Sequence, residues 1–116
     1  MTRSGDLHVT KECPAYKGLA GDFCTIKSSN LEAIEVGSKV VYAQAADAGK
    51  LDSDIVLDAG PGNTAAGHVV LDLGAGTGVV TFSGGTGKFT GFHAHVDVSA
   101  DSTGLWHWEG TYSFSD

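Results

Sequence analysis

Residues 84–114, GGTGKFTGFHAHVDVSADSTGLWHWEGTYSF, decide the fold because they hold two runs of strict alternation separated by one short connection. Side chains on a β-strand point to opposite faces in turn, so residues two apart share a face. In the first run Phe89, Gly91, His93, His95, Asp97 and Ser99 fall on one side, with Thr90, Phe92, Ala94, Val96 and Val98 on the other. In the second, Leu105, His107, Glu109, Thr111 and Ser113 oppose Trp106, Trp108, Gly110, Tyr112 and Phe114. Paired as an antiparallel hairpin, the two runs would gather His93, His95, Asp97, His107 and Glu109 on one surface.

Working outward, the same period recurs in short segments. Gly21–Ser28, Lys39–Ala46, Ile55–Asp58, Thr64–Leu73 and Gly78–Ser83 read as strands, separated by turn sequences such as AGPGN and GAGTG. Gly67 inside the fourth of these marks an expected bulge. Seventeen glycines against two prolines, spread between β-rich runs, point to tight turns and bulges. No segment with helical period competes. The fold class is all-β: a small closed antiparallel β-barrel of about seven to eight strands. Residues 1–19 show no clear period and read as a flexible N-terminal arm, leaving 20–116 as a single barrel domain.

With 116 residues, 41% of them hydrophobic, the chain can build one core. A formal charge of -7 and scattered cations exclude nucleic acid and anionic membrane surfaces as partners. No apolar run approaches the roughly 20 residues of a membrane-spanning helix. Cys13 and Cys24, the two cysteines, flank the loop PAYKGLAGDF and are compatible with one disulfide or with two buried thiols. A bridge would favour an extracytoplasmic or secreted location, and free thiols a cytoplasmic one.

The segment Gly84-Gly85-Thr86-Gly87-Lys88-Phe89-Thr90-Gly91-Phe92 resembles the G-G-[ST]-G-x-F-x-G stretch of the allene oxide cyclase barrel superfamily, which includes the dirigent proteins. The resemblance covers residues 76 to 114 and is topological before that. It implies an eight-stranded antiparallel barrel whose lumen steers ring closure or coupling of a small molecule without metal or organic cofactor, often in a dimer or trimer. The chain is shorter than typical plant members, and its histidine-rich strand is not a signature of the superfamily. No catalytic residue is transferred from the resemblance.

The polar face therefore has two readings. Turned into a lumen, His93, His95, His107 and Glu109 form an acid–base set, because imidazole exchanges protons near neutrality and a carboxylate orients its ring. Tyr42, Gln44, His68 and Asp97 would then line the substrate site. Turned outward, the same residues are solvent-facing, and Trp106, Trp108, Tyr112 and Phe114 are core or subunit interface. A metal site is not expected: Gly87-x5-His93-x-His95 coincides with the start of the cupin motif, but Ser99 and Ala100 stand where its Glu would be. The working expectation is a small-molecule-binding barrel acting as a cofactor-independent cyclase or isomerase on an apolar substrate. Homo-oligomers would form through the aromatic strand face. The alternative is a non-catalytic secreted barrel for ligand binding or assembly.

Overall fold

A computed structural model describes residues 3–13, 19–31, 33–102 and 105–114. Eight strands close into one antiparallel barrel in chain order, each hydrogen-bonded to the next and β1 to β8. They are β1 (Arg3–Glu12), β2 (Phe23–Ser29), β3 (Lys39–Tyr42), β4 (Lys50–Asp58), β5 (Thr64–Asp72), β6 (Thr77–Gly85), β7 (Phe92–Ala100) and β8 (Leu105–Phe114). Closure gives every strand a neighbour on both sides, although β1 meets β2 only from Val9 to Glu12.

The barrel is as the alternation predicts, but its first stave is not. Residues 3–12, expected in a flexible arm, form β1, which pairs with β8 from Arg3↔Phe114 to Glu12↔Leu105 and with β2 from Val9 to Glu12. Its period is present in GDLHVTKEC, where Leu7, Val9 and Lys11 are buried between half-buried or exposed His8, Thr10 and Glu12. Of the remainder of the expected arm, residues 1–2 and 14–18 lie outside the described residues. Cys13 and Cys24 are joined by a disulfide, with Cα atoms 4.2 Å apart, so the end of β1 is tied covalently to the start of β2. Such a link is compatible with an extracytoplasmic location.

An eight-stranded barrel encloses a space that side chains can just fill, and here they fill it with apolar groups. Leu7, Ile26, Val40, Leu57, Val80, Phe92, Val96 and Trp108 are each fully buried. Phe82 packs against Phe92 and Trp108 in tilted pairs with ring centroids 5.6 and 5.7 Å away. The end carrying the β2–β3, β4–β5 and β6–β7 connections is plugged by Leu31, Ile34 and Phe89. Phe89 departs from the strand period because Gly87–Phe89 is a 3-10 turn, which folds the ring inward ahead of β7. Leu31 and Ile34 come from the stretch SSNLEAIEVGS, whose sequence reads as polar connection.

Gly110 and Gly67 are among the positions where a neighbouring strand's backbone leaves no room for a side chain. At Gly110 a Cβ would lie 2.0 Å from the His95 carbonyl oxygen and 2.7 Å from Val96 Cα, both backbone atoms of the neighbouring strand. Gly67 sits at the expected irregularity, where the β5–β6 register shifts between Ala65 and Gly67, and its Cβ would meet the Thr81 carbonyl oxygen at 2.6 Å.

Candidate functional site

The face that points inward is the aromatic one. β7 buries Phe92, Ala94, Val96 and Val98 and exposes His93, His95, Asp97 and Ser99; β8 buries Trp108 and Phe114 and exposes Glu109 and Thr111. The expected acid–base set of His93, His95, His107 and Glu109 therefore stands on the outer wall, not in the lumen. The physical reason is volume and desolvation: the large apolar rings fill the narrow interior, whereas histidines and carboxylates there would have to be stripped of water. Trp108 and Phe114 of the aromatic strand face are taken up by the core, and Trp106 and Tyr112 are partly buried against it.

On the wall, the candidate residues spread over successive rungs. His93 lies opposite Ser113, His95 opposite Thr111, Asp97 opposite Glu109, and His107 opposite Ser99. Three of the five histidines are held by carboxylates. His8 on β1 pairs through Nδ1 with Glu109, its rung neighbour on β8, and that hydrogen bond raises its pKa above the ordinary imidazole value. His68 on β5 lies between Asp54, 3.0 Å from Nδ1, and Asp52 at Nε2. Hydrogen bonds to Asp54 first and Asp52 second raise its pKa as well. His107 Nε2 is 2.7 Å from an Asp101 carboxylate oxygen. Of the expected substrate contacts, Gln44 is exposed beyond β3, its Oε1 accepting the Asp54 amide at 2.6 Å, and His68 and Asp97 are likewise outside. Tyr42 alone of that set points inward and is buried.

His93 and His95 have no side-chain hydrogen bond among the described residues. They project into a groove of about 660 Å³ crossing the outer wall of β6, β7, β8 and β1. Two complete rungs build it. One runs Ser83, His93, Ser113, Ser4, and the next Thr81, His95, Thr111, Asp6. Five hydroxyls, two imidazoles and one carboxylate thus face a shared space above a floor of Phe82, Ala94, Gly5 and Tyr112. At Gly5 the missing side chain leaves room for the Tyr112 ring, whose atoms would be 3.3 Å from a Cβ. Among the described residues no cluster of three or more His, Cys, Asp or Glu is arranged to hold a metal ion.

A second polar feature lies inside the opposite end of the barrel. Lys11, 2% exposed, donates a hydrogen bond from Nζ to the Tyr42 hydroxyl. The bridged Cys24 sulfur carries no hydrogen, so the 3.4 Å contact between it and that hydroxyl has Tyr42 as donor. Lys11 Nζ also lies 5.1, 5.3 and 5.9 Å from the ring centroids of Tyr42, Trp108 and Trp106. Burial lowers its pKa to about 7. Sequence reading misses Lys11 because residues 1–19 are taken as aperiodic; its signal is a lysine in phase with Leu7 and Val9.

Compared with known proteins, the chain gives no family-model match, and no curated protein or solved structure matches it either.

Proposed function

We propose that this protein is a non-catalytic, extracytoplasmic ligand-binding barrel that holds a hydroxyl-rich small molecule, a saccharide, in the groove of its outer wall. The observation that carries this reading is the pair of unengaged imidazoles, His93 and His95, set among five hydroxyls in a groove of about 660 Å³, within the size range of small-molecule sites. Hydroxyls and neutral imidazoles both donate and accept hydrogen bonds, which suits a ligand whose own hydroxyls do the same. The net charge of -7 and the Asp6 carboxylate in the groove disfavour anionic ligands. The disulfide supports a location outside the cytoplasm. The closed eight-stranded barrel agrees with the architecture expected from the allene oxide cyclase resemblance. Among the described residues the interior is filled by apolar side chains, which favours the outer-wall reading over a lumenal cyclase.

Titrating mono- and disaccharides into isotope-labelled protein tests the proposal by amide and imidazole chemical shifts. Saturable shifts confined to residues 4–6, 81–83, 93–95 and 111–113, and abolished in a His93→Ala/His95→Ala double variant of unchanged thermal stability, are expected. Shifts that map elsewhere, or none at tens of millimolar saccharide, would sink it.

A further inference from the structure

The disulfide that ties β1 to β2 has two unlike sulfurs. Cys13 is only partly buried, as are Leu73 and Trp106 at the same end of the barrel, whereas Cys24 is 1% exposed. A nucleophile arriving from solvent therefore meets Cys13 first. Behind Cys24 the interior supplies a line of hydrogen-bond donors. The Tyr42 hydroxyl donates to Cys24 Sγ at 3.4 Å, and Lys11 Nζ donates in turn to the Tyr42 oxygen. Both donors are buried, at 2% exposure each. In the bridged protein this line ends on an uncharged sulfur, a weak acceptor, and among the described residues no carboxylate lines the space around it. A buried amine without a counter-charge is costly. Cleavage of the disulfide creates an anion at the atom on which the line already ends.

We propose that Cys13–Cys24 is a redox-active disulfide, opened by a small thiol that attacks Cys13 and leaves Cys24 as a thiolate held by Tyr42 and Lys11. The external thiolate forms a bond to Cys13 Sγ while the Cys13–Cys24 bond breaks, and the electron pair of that bond leaves on Cys24 Sγ. The product is a mixed disulfide at Cys13. A second thiolate of the same kind attacks the small-molecule sulfur of that mixed disulfide and releases Cys13. Two small thiols are thereby oxidised to their disulfide, and the protein bridge is reduced to two thiols. A leaving thiolate departs faster when its thiol is more acidic. A hydrogen bond from Tyr42, with the Lys11 charge one hydrogen bond beyond it, favours the thiolate form of Cys24. As the anion forms, Lys11 gains the counter-charge for a proton that burial disfavours in the bridged state. Of the other residues lining this space, from β2, β3, β4, β5 and β8, Tyr42 is the one that titrates.

The test follows exchange of the folded, oxidised protein with millimolar glutathione near neutral pH, quenched with acid and read by intact mass and peptide mapping. Lys11→Met and Tyr42→Phe variants are run beside it, their folds checked by amide spectra. A rate proportional to glutathione concentration, glutathione carried on Cys13, and exchange about tenfold slower in both variants are expected. In the reduced protein the Cys24 thiol, titrated by the pH dependence of its alkylation, is expected to be more acidic than that of Cys13 and to lose this difference in both variants. Glutathione found on Cys24, a rate independent of glutathione concentration, or variants that exchange as fast as wild type would each overturn the proposal. The site and concentration dependence in wild type decide it even where a variant fails to fold.

Discussion

Two basic side chains three residues apart on β1 meet opposite environments. His8 leaves the outer wall, stays exposed and rests against Glu109, which favours its proton. Lys11 enters the lumen among Tyr42, Trp106 and Trp108, where desolvation disfavours its proton. One strand thus carries an imidazole whose proton is favoured by a partner in water and an amine whose proton is disfavoured by the absence of water. The difference teaches that in a barrel this narrow a shift of one residue in phase decides the charge state of a side chain, and with it the available chemistry. The outer wall offers hydroxyls, imidazoles and carboxylates to water; the interior holds an amine whose charge is disfavoured by burial.

The sharpest way to break the contrast is to compare substitutions on the two faces of the β7–β8 hairpin. Gly110→Ala drives a Cβ into the His95 carbonyl and Val96 Cα, and neither backbone atom can rotate away. A loss of at least about 3 kcal/mol in denaturant unfolding, or failure to fold, is expected. His95→Ala, on the same rung system but outside, should change stability by less than about 0.5 kcal/mol. Equal effects would mean that the faces have been assigned in the wrong phase.

A smaller effect distinguishes the buried amine. The folded pKa of Lys11 lies near 7, below the ordinary lysine value, so between the two the unfolded chain binds the additional proton and stability rises with pH. The cost of burying Lys11 is complete below about pH 7 and is relieved as pH climbs toward the unfolded value. Lys11→Met should therefore be stabilising relative to wild type at pH 6–7, by an amount on the order of a few kcal/mol at most, and the gain should shrink by pH 9.5. Parallel wild-type and variant melting curves across that range would show that Lys11 is protonated in the fold.

The smallest effect belongs to the wall. His8 and His68 have raised pKa values in the fold, so whatever stability their pairs contribute is present below about pH 6.5 and fades as pH rises through the folded values. Solvent screening keeps both contributions small. The direct readout is imidazole titration by NMR: His8 and His68 should titrate above the ordinary value. Glu109→Gln should return His8 toward it while leaving His68 unmoved. A concerted shift of both would tie the two pairs together, contrary to their placement on β1 and β5.

Much of the barrel is legible from alternation alone. Phe92, Ala94, Val96 and Val98 stand opposite His93, His95 and Asp97 in the sequence as in the fold, and the irregularity at Gly67 falls where a side chain would strike β6. The site is less legible. Alternation separates two faces without saying which is inside, and the polar lumen expected for His93, His95, His107 and Glu109 fails because the aromatic face is the bulkier and the drier. Phe89 escapes the period because a 3-10 turn intervenes. Lys11 escapes notice because one charged residue in Leu7-x-Val9-x-Lys11 makes a short strand resemble an aperiodic tail.

Strand period and turn residues are local properties of neighbouring positions, so the class, the later staves and the two surfaces of each are legible in the sequence, while β1 is not. Closure of β1 onto β8 was decided only in three dimensions, and with it which surface became the interior. Burying Trp108 and Phe82 against one another, placing His93 beside Ser113, and enclosing Lys11 against Tyr42 and Trp106 all join residues far apart in the chain. Such contacts depend on the volume and hydration of a closed space, which no run of adjacent residues encodes.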